Sequence, residues 1–356
     1  MKKMITVFLA AALLCACAVP AGALAEETAH TIVHVDSARD YDKWGILISV
    51  ENVSWAAFLD GQGRQRLPMV YEGSVYIPLR TAGEWMGAEV AWAQANQTVT
   101  LTSGGEPSYL DMFTPEGQPP MTEEEDAVFL REAQGGAEAE LRPDIRIVLD
   151  GVEQNLTNAR GEPVYPLVIR ECVYLPVRNV GELCGKEVLW FRESGDAPGE
   201  TLSNRIYVYS PMTPEQQKAA ADYFAQCAEK YAGIQEALDT LAGAQDLTEE
   251  TFHGRLEDLK AQVLELRNLP WPGVPILEYD CNAVRHNCGR ILDDDIAPYL
   301  NPETGLRPDF IDATWQEHRD SFVSATKGGD GMRLLGNAIS QSTRLVDALI
   351  ANQNQG

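Results

Sequence analysis

Histidines, cysteines and a few charge pairs are the residues here whose types could do chemistry. The five histidines are His30, His34, His253, His286 and His318, and beyond residue 25 the cysteines are Cys172, Cys184, Cys227, Cys281 and Cys288. His286 lies between Cys281 and Cys288 and near Asp280, a composition that suggests a soft metal site. On a helix, however, the imidazole points away from the face carrying the two thiols, and no fourth ligand is evident, so no metal site is expected. Cys281 and Cys288 are seven residues apart, about 10 Å along a helix, too far to bond to each other. Cys227 could bridge to one of them, or all three could be small core residues. The carboxylates Glu123, Glu124, Glu125 and Asp126 lack the alternating ligands and central glycine of a calcium loop, and read as a repelling acidic run. No serine nucleophile elbow, zinc-protease helix or phosphate-binding glycine loop is present, so neither a catalytic residue nor a cofactor is expected.

The chain has 356 residues, with 53 acidic against 28 basic and a net charge of −25. A polyanion of this kind is repelled by nucleic acid and by anionic lipid. Lys2 and Lys3 precede an apolar run to about Cys17, and Ala23-Leu24-Ala25 follows. That is the layout of an export leader over residues 1–25, and the run is too short to span a bilayer. Leu14-Cys15-Ala16-Cys17 offers a competing route, lipid attachment at Cys17, but the later site fits better. The expected location is outside the cytoplasmic membrane, with no spanning segment after processing.

Sequence self-comparison reveals the elements that must position any site. Val75, Tyr76, Pro78, Arg80, Gly83, Glu84, Gly87, Glu89, Val90 and Trp92 recur 98 residues later as Val173, Tyr174, Pro176, Arg178, Gly181, Glu182, Gly185, Glu187, Val188 and Trp190. Upstream, Phe58-Leu-Asp-Gly61 resembles Val148-Leu-Asp-Gly151, an apolar run closed by a turn. Val75-Tyr-Ile77 reads as a strand, and Pro78 sets the φ of a first helical turn. Leu79, Ala82 and Met86 then share a helix face, and Gly87 suits a left-handed cap. Glu89-Val-Ala-Trp92 reads as another strand, with its tryptophan expected to close the small core. Arg80 with Glu84, and Arg178 with Glu182, are spaced for surface ion pairs. Cys172 and Cys184 replace Ser74 and Met86 together, which suggests a strand-to-helix disulfide confined to the second copy.

The ordered string Val-Tyr-Ile-Pro-Leu-Arg, Gly-Glu-Trp-Met-Gly-Ala-Glu-Val-Ala-Trp and Thr-Val-Thr-Leu resembles the copper amine oxidase N-terminal-like, or stalk, domain, over roughly residues 44–104 and again over 143–211. The resemblance implies an appendage of the kind found, often in tandem, in exported proteins of Gram-positive bacteria. In the oxidases the copper and quinone belong to a separate catalytic domain, which nothing in this chain resembles.

Residues 105–142, rich in Gly, Pro and Glu, read as a mobile acidic connection, with at most a helical turn near Glu123 to Glu132. From 213 to 356 the period is helical. Five seams follow: Tyr223 to Leu241, Phe252 to Leu266, Leu277 to Ile291, Ile311 to Phe322 and Leu335 to Leu349. The expected fold is α+β: two small strand-rich modules, each with a short helix, then an antiparallel helical bundle. The expected function is a non-catalytic envelope binding or scaffold protein for an extracellular or cell-wall ligand. An extracellular enzyme with a pocket in or beside the helical region is the alternative.

Overall fold

The computed structural model describes residues 30–38, 46–110, 114, 116–117, 120–194, 201–300 and 314–354. The leader, Cys17 and Ile311 lie outside them. The first half contains β1 (Thr31–Ser37), β2 (Ile46–Val50), β3 (Phe58–Leu59), β4 (Gln65–Arg66), β5 (Met69–Tyr71), β6 (Ser74–Pro78), α1 (Leu79–Trp85), β7 (Ala88–Ala93) and β8 (Thr98–Ser103). The second contains α2 (Glu123–Gly135), β9 (Ala137–Leu141), β10 (Arg146–Leu149), β11 (Val152–Glu153), β12 (Leu167–Ile169), β13 (Cys172–Pro176), α3 (Val177–Leu183), β14 (Glu187–Ser194) and β15 (Thr201–Tyr209). Strand-rich first and helical afterwards, the chain is α+β.

Strands β1, β5, β6, β13, β12 and β9 close into a barrel. Where β6 meets β13, Ile77 pairs with Leu175, its own equivalent at the shift of 98, so a local twofold axis passes through that pair. Side chains alternate along these strands. Tyr76, Cys172 and Tyr174 face the barrel core, while Val75, Ile77, Val173 and Leu175 face the second core under α1 and α3. Two further sheets flank the barrel, and each is completed by a strand from the other half. β2 pairs in parallel with β15, and β10 pairs in parallel with β8. As a result Ile48 and Val50 share one core with Ile206 and Val208, and Leu101 shares it with Ile147.

The halves are therefore not separate modules joined by a mobile connection. The stretch read as that connection contains a capped helix and a barrel strand. Thr122 and Glu125 form a capping box at the start of α2, and the acidic run occupies its first turn, where the helix dipole favours negative charge. In β9 the Ala-Glu alternation is a strand period: Ala139 is buried in the barrel and Glu138 is exposed. Small residues at the inward positions hid a strand that a search for β-branched residues passes over.

Asp60 and Gly61 begin the β3–β4 hairpin, but their counterpart is not Asp150-Gly151, which turns between β10 and β11. It is Asn158-Ala159. Asp60 N donates to Arg64 O and Gly63 N to Asp60 O, just as Asn158 N donates to Glu162 O and Gly161 N to Asn158 O. Gly63 and Gly161 both have φ +76. The Asp60 carboxylate accepts from the backbone of Gln62 and Arg64 and pairs with Arg66 at 2.6 Å, both side chains being almost wholly buried. Burial pushes the Asp60 carboxyl up, but the backbone hydrogen bonds and the two guanidinium groups outweigh it and hold the group below its ordinary value.

The helical region contains α4 (Pro214–Gly243), α5 (Glu249–Arg267), α6 (Glu278–Arg290), α7 (Ala297–Leu300), α8 (Trp315–Gly328) and α9 (Asp330–Gln353). A π-helical segment, Ile291–Ile296, joins α6 to α7. Thr213 caps α4 through a box with Gln216, and Thr314 caps α8 with Glu317. The seams are the core: Phe252, Leu256, Leu259, Val263 and Leu266 are all buried, as are Leu335, Ile339, Ser342, Val346 and Leu349. The bundle is fused to the sheet of β14, β15 and β2. Phe191, Tyr207 and Tyr209 belong to its core, Tyr209 donates to Leu349 O at 3.1 Å, and Gln353 exchanges two hydrogen bonds with the backbone of Met212. Arg205, on β15 and 5% exposed, lies over the rings of Trp55 from the first half and Tyr279 from α6, at 5.4 and 5.8 Å. No helix among the described residues is long and apolar enough to cross a membrane.

Two stability predictions follow from close approach and charge. A Cβ on Gly83 would lie 2.7 Å from Val90 Cγ2, and one on Gly181 2.5 Å from Val188 Cγ2. Gly83→Ala and Gly181→Ala should each cost about 1–3 kcal/mol in chemical denaturation, and Val188→Ala should recover part of the second loss. Asp60→Asn leaves Arg66 buried beside an uncharged partner and should cost about 3 kcal/mol at neutral pH. Because the native carboxyl titrates lower than the unfolded one, this contribution is present above the unfolded value of about 3.9. It is lost as pH falls through the native value, so the gap between wild type and Asp60→Asn should narrow on acidification.

Candidate functional site

Each half builds the start of its short helix from the same residues. Pro78 and Pro176 precede the helices with φ −59 and −56. Gly87 and Gly185 follow them with φ +80 and +65, where a side chain would be strained. Arg80 and Arg178 are exposed on the first turns, and Glu84 and Glu182 on the second. Among the described residues neither Arg80–Glu84 nor Arg178–Glu182 forms an ion pair, contrary to the reading from spacing. An arginine N-terminal to its carboxylate is the weaker order for such a pair. Arg80 instead reaches over the β3–β4 turn, its Nη1 lying 3.0 Å from where a Cβ on Gly61 would stand.

Trp92 and Trp190 do not close a core; they are 36% and 50% exposed. Val90 lies under Gly83 and Val188 under Gly181. Two residues on, on the same strand face, each tryptophan meets the open start of a helix only seven residues long. The large aromatic that fills the core of the first half is Trp85, 2% exposed and 4.4 Å from the Phe58 ring.

These exposed residues line two grooves related by the local twofold. One, of about 520 Å³, is lined by Asp60, Gly61, Arg80 and Trp92 of the first half and by Glu171 and Cys172 of the second. The other, of about 210 Å³, is lined by Asn158, Ala159, Arg178 and Trp190 of the second half and by Gly73 and Ser74 of the first. These residues correspond at the shift of 98, while Arg142, Gln94 and Gln97 line the first groove alone. In each groove a hairpin turn, a helix start and a tryptophan strand come from one half, and the tight turn beneath them from the other. Sequence reading singled out the arginines and tryptophans as repeated residues, with ion-pair and core roles, and missed both the groove and the turns, although the same shift carried past the identical residues leads to Asn158 and Glu171.

The structure does not bring Cys172 and Cys184 together, and both are free thiols. Cys172 shares the barrel face of β13 with Tyr174, whereas α3, whose end bears Cys184, packs on the opposite face, so the sheet stands between them. Cys227, Cys281 and Cys288 are free and fully buried in the bundle. Burial pushes the thiols of Cys184 and Cys227 up to about 11 and those of Cys281 and Cys288 up to about 12, so none is a thiolate at neutral pH. His286 is exposed on α6, away from the buried cysteines. Among the described residues, no group of three or more His, Cys, Asp and Glu side chains is placed to hold a metal ion.

A further cavity, about 500 Å³, lies between sheet and bundle and contains Glu51, Lys186 and Ser210. Lys186 Nζ donates to Glu51 Oε1 and to Ser210 Oγ, each at 2.8 Å, and the Ser210 hydroxyl and N–H both donate to the same carboxylate oxygen. Glu51 thus accepts from both Ser210 donors and from Lys186, and the Ser210 hydroxyl oxygen accepts from Lys186, which ties β2, the start of β14 and the end of β15 into one hydrogen-bonded cluster.

The sequence profile of the copper amine oxidase N-terminal domain, a stalk-like domain family, matches residues 58–116, which run from β3 through β8 and include Arg80 and Trp92 of the first groove. No curated protein and no solved structure matches the chain. Over residues 58–116, then, this chain is similar to the copper amine oxidase N-terminal domain.

Proposed function

We propose that the protein is an exported, non-catalytic component of the cell envelope that binds an extracellular or wall ligand through the two grooves. In this reading residues 143–211 are a second copy of the domain matched at 58–116, and the leader at 1–25 directs export. The groove built twice carries the reading: an arginine and a tryptophan, both exposed, stand at equivalent places in each half. Exposed tryptophan and arginine are the residue types that dominate binding surfaces.

Retention on envelope material tests this. Residues 26–356 should sediment with purified wall fractions, and the double variant Trp92→Ala, Trp190→Ala should be retained about tenfold less while its denaturation midpoint is unchanged. Failure of the wild-type chain to be retained would remove the reading.

A further inference from the structure

The groove of Arg178 and Trp190 says most about what would be bound there, and the inference rests on the binding reading above. We propose that it is a subsite for a sugar residue bearing a carboxylate, with the pyranose face stacked on the Trp190 indole and the carboxylate paired with the Arg178 guanidinium.

Charge points to an anion. The chain has 53 acidic and 28 basic residues, yet Arg178 is the sole charged side chain among those lining this groove. Among the described residues Arg178 forms no ion pair, so its guanidinium is left to an incoming anion, and a planar fork suits a carboxylate in two-point contact. Long-range repulsion from the rest of the surface is screened beyond about 8 Å at physiological ionic strength.

Shape points to a ring. Trp190 is half exposed, and Pro176, Val177 and Val188 provide an apolar floor beside it. Such a surface suits the C–H face of a pyranose, while Ser74 offers a hydroxyl to its rim and Asn158, bonded within its own turn, holds the wall in shape. The volume of about 210 Å³ lies below the roughly 300–1,000 Å³ of sites for drug-sized ligands, so the groove admits one ring of a longer chain. Asn179, 3% exposed, donates to Thr157 O at 3.0 Å and ties the helix start to the hairpin, so the walls are set in place.

The two halves agree at several packed positions, such as Tyr76 and Tyr174, and also at the exposed groove residues, where packing gives no reason to. Leu79, Ala82, Trp85 and Met86 of the first half are replaced by Val177, Val180, Leu183 and Cys184 in the second, so the packing side of the helix has changed. The exposed arginine and tryptophan are identical. The Arg80–Trp92 groove is the equivalent subsite, with a less selective charge, since Asp60 and Glu171 on its wall offset the guanidinium groups of Arg80 and Arg142.

Calorimetric titration of residues 26–356 with trigalacturonate, with the neutral oligosaccharide cellotriose and with a triglutamate peptide tests the assignment. Trigalacturonate should bind, and less tightly as salt rises from about 50 to about 500 mM. Arg178→Gln and Trp190→Ala should each weaken binding about tenfold with the unfolding midpoint unchanged, and Arg178→Lys should lose less. Arg80→Gln should have a smaller effect than Arg178→Gln. Equal binding of cellotriose, equal binding of triglutamate, no binding of trigalacturonate, or unchanged binding by the Arg178 and Trp190 variants would each overturn the subsite. If the sugar assay fails while envelope retention still depends on the tryptophans, the subsite chemistry falls and the binding reading stands; if wild-type retention fails too, both fall.

Discussion

The exchange of one strand in each direction between the halves is the constraint on which the rest of the structure depends. β2 completes the sheet of β15, and β10 completes the sheet of β8, both in parallel register. Parallel partners cannot be joined by a tight turn, so the chain must cross the molecule between them. It does so through α2 and β9, which supply the sixth barrel strand and the helix whose Ala133 belongs to the barrel core. The arrangement is a strand swap held within one chain. Neither half can be lifted away without opening both sheets and the barrel together.

The grooves are products of the same exchange. Each needs a hairpin turn, a helix start and a tryptophan from one half, and a tight turn from the other, so their geometry is set by the barrel pairing of Ile77 with Leu175. The bundle adds rigidity to one side. Through Arg205, Tyr209 and Gln353 it holds the end of β15, the strand onto which β2 is laid. A surface held by three cores at once loses little freedom when a ligand binds, which suits two weak subsites on one body.

Much of this was legible in the sequence where the signal is local. The strand–proline–helix–glycine–strand order of each half, the capped start of α4 and the helical seams all follow from period and capping chemistry. What escaped was long-range or lacked a local mark. The partner of β2 is not encoded in Ile46–Val50 itself, since a short apolar strand can add to any open edge. β9 was hidden because its inward residues are alanines among glutamates. Trp92 was placed in the core because a tryptophan in a short strand usually is; its exposure depends on where a seven-residue helix happens to begin. Cys172 and Cys184 looked like partners in sequence, but strand alternation puts a sheet between them. At the site, the arginines and tryptophans were legible as repeated residues but were assigned to ion pairs and cores, whereas the walls came from turns that share little beyond Gly63 and Gly161.

Cutting the chain between the halves tests the exchange most directly. A protease site inserted after Glu116 and cleaved in the folded protein should yield two fragments that co-elute at the size of the intact chain, separate only in denaturant, and unfold in one transition. Two fragments that part under native conditions, each still folded, would mean that the halves are independent modules and that the composite grooves do not exist.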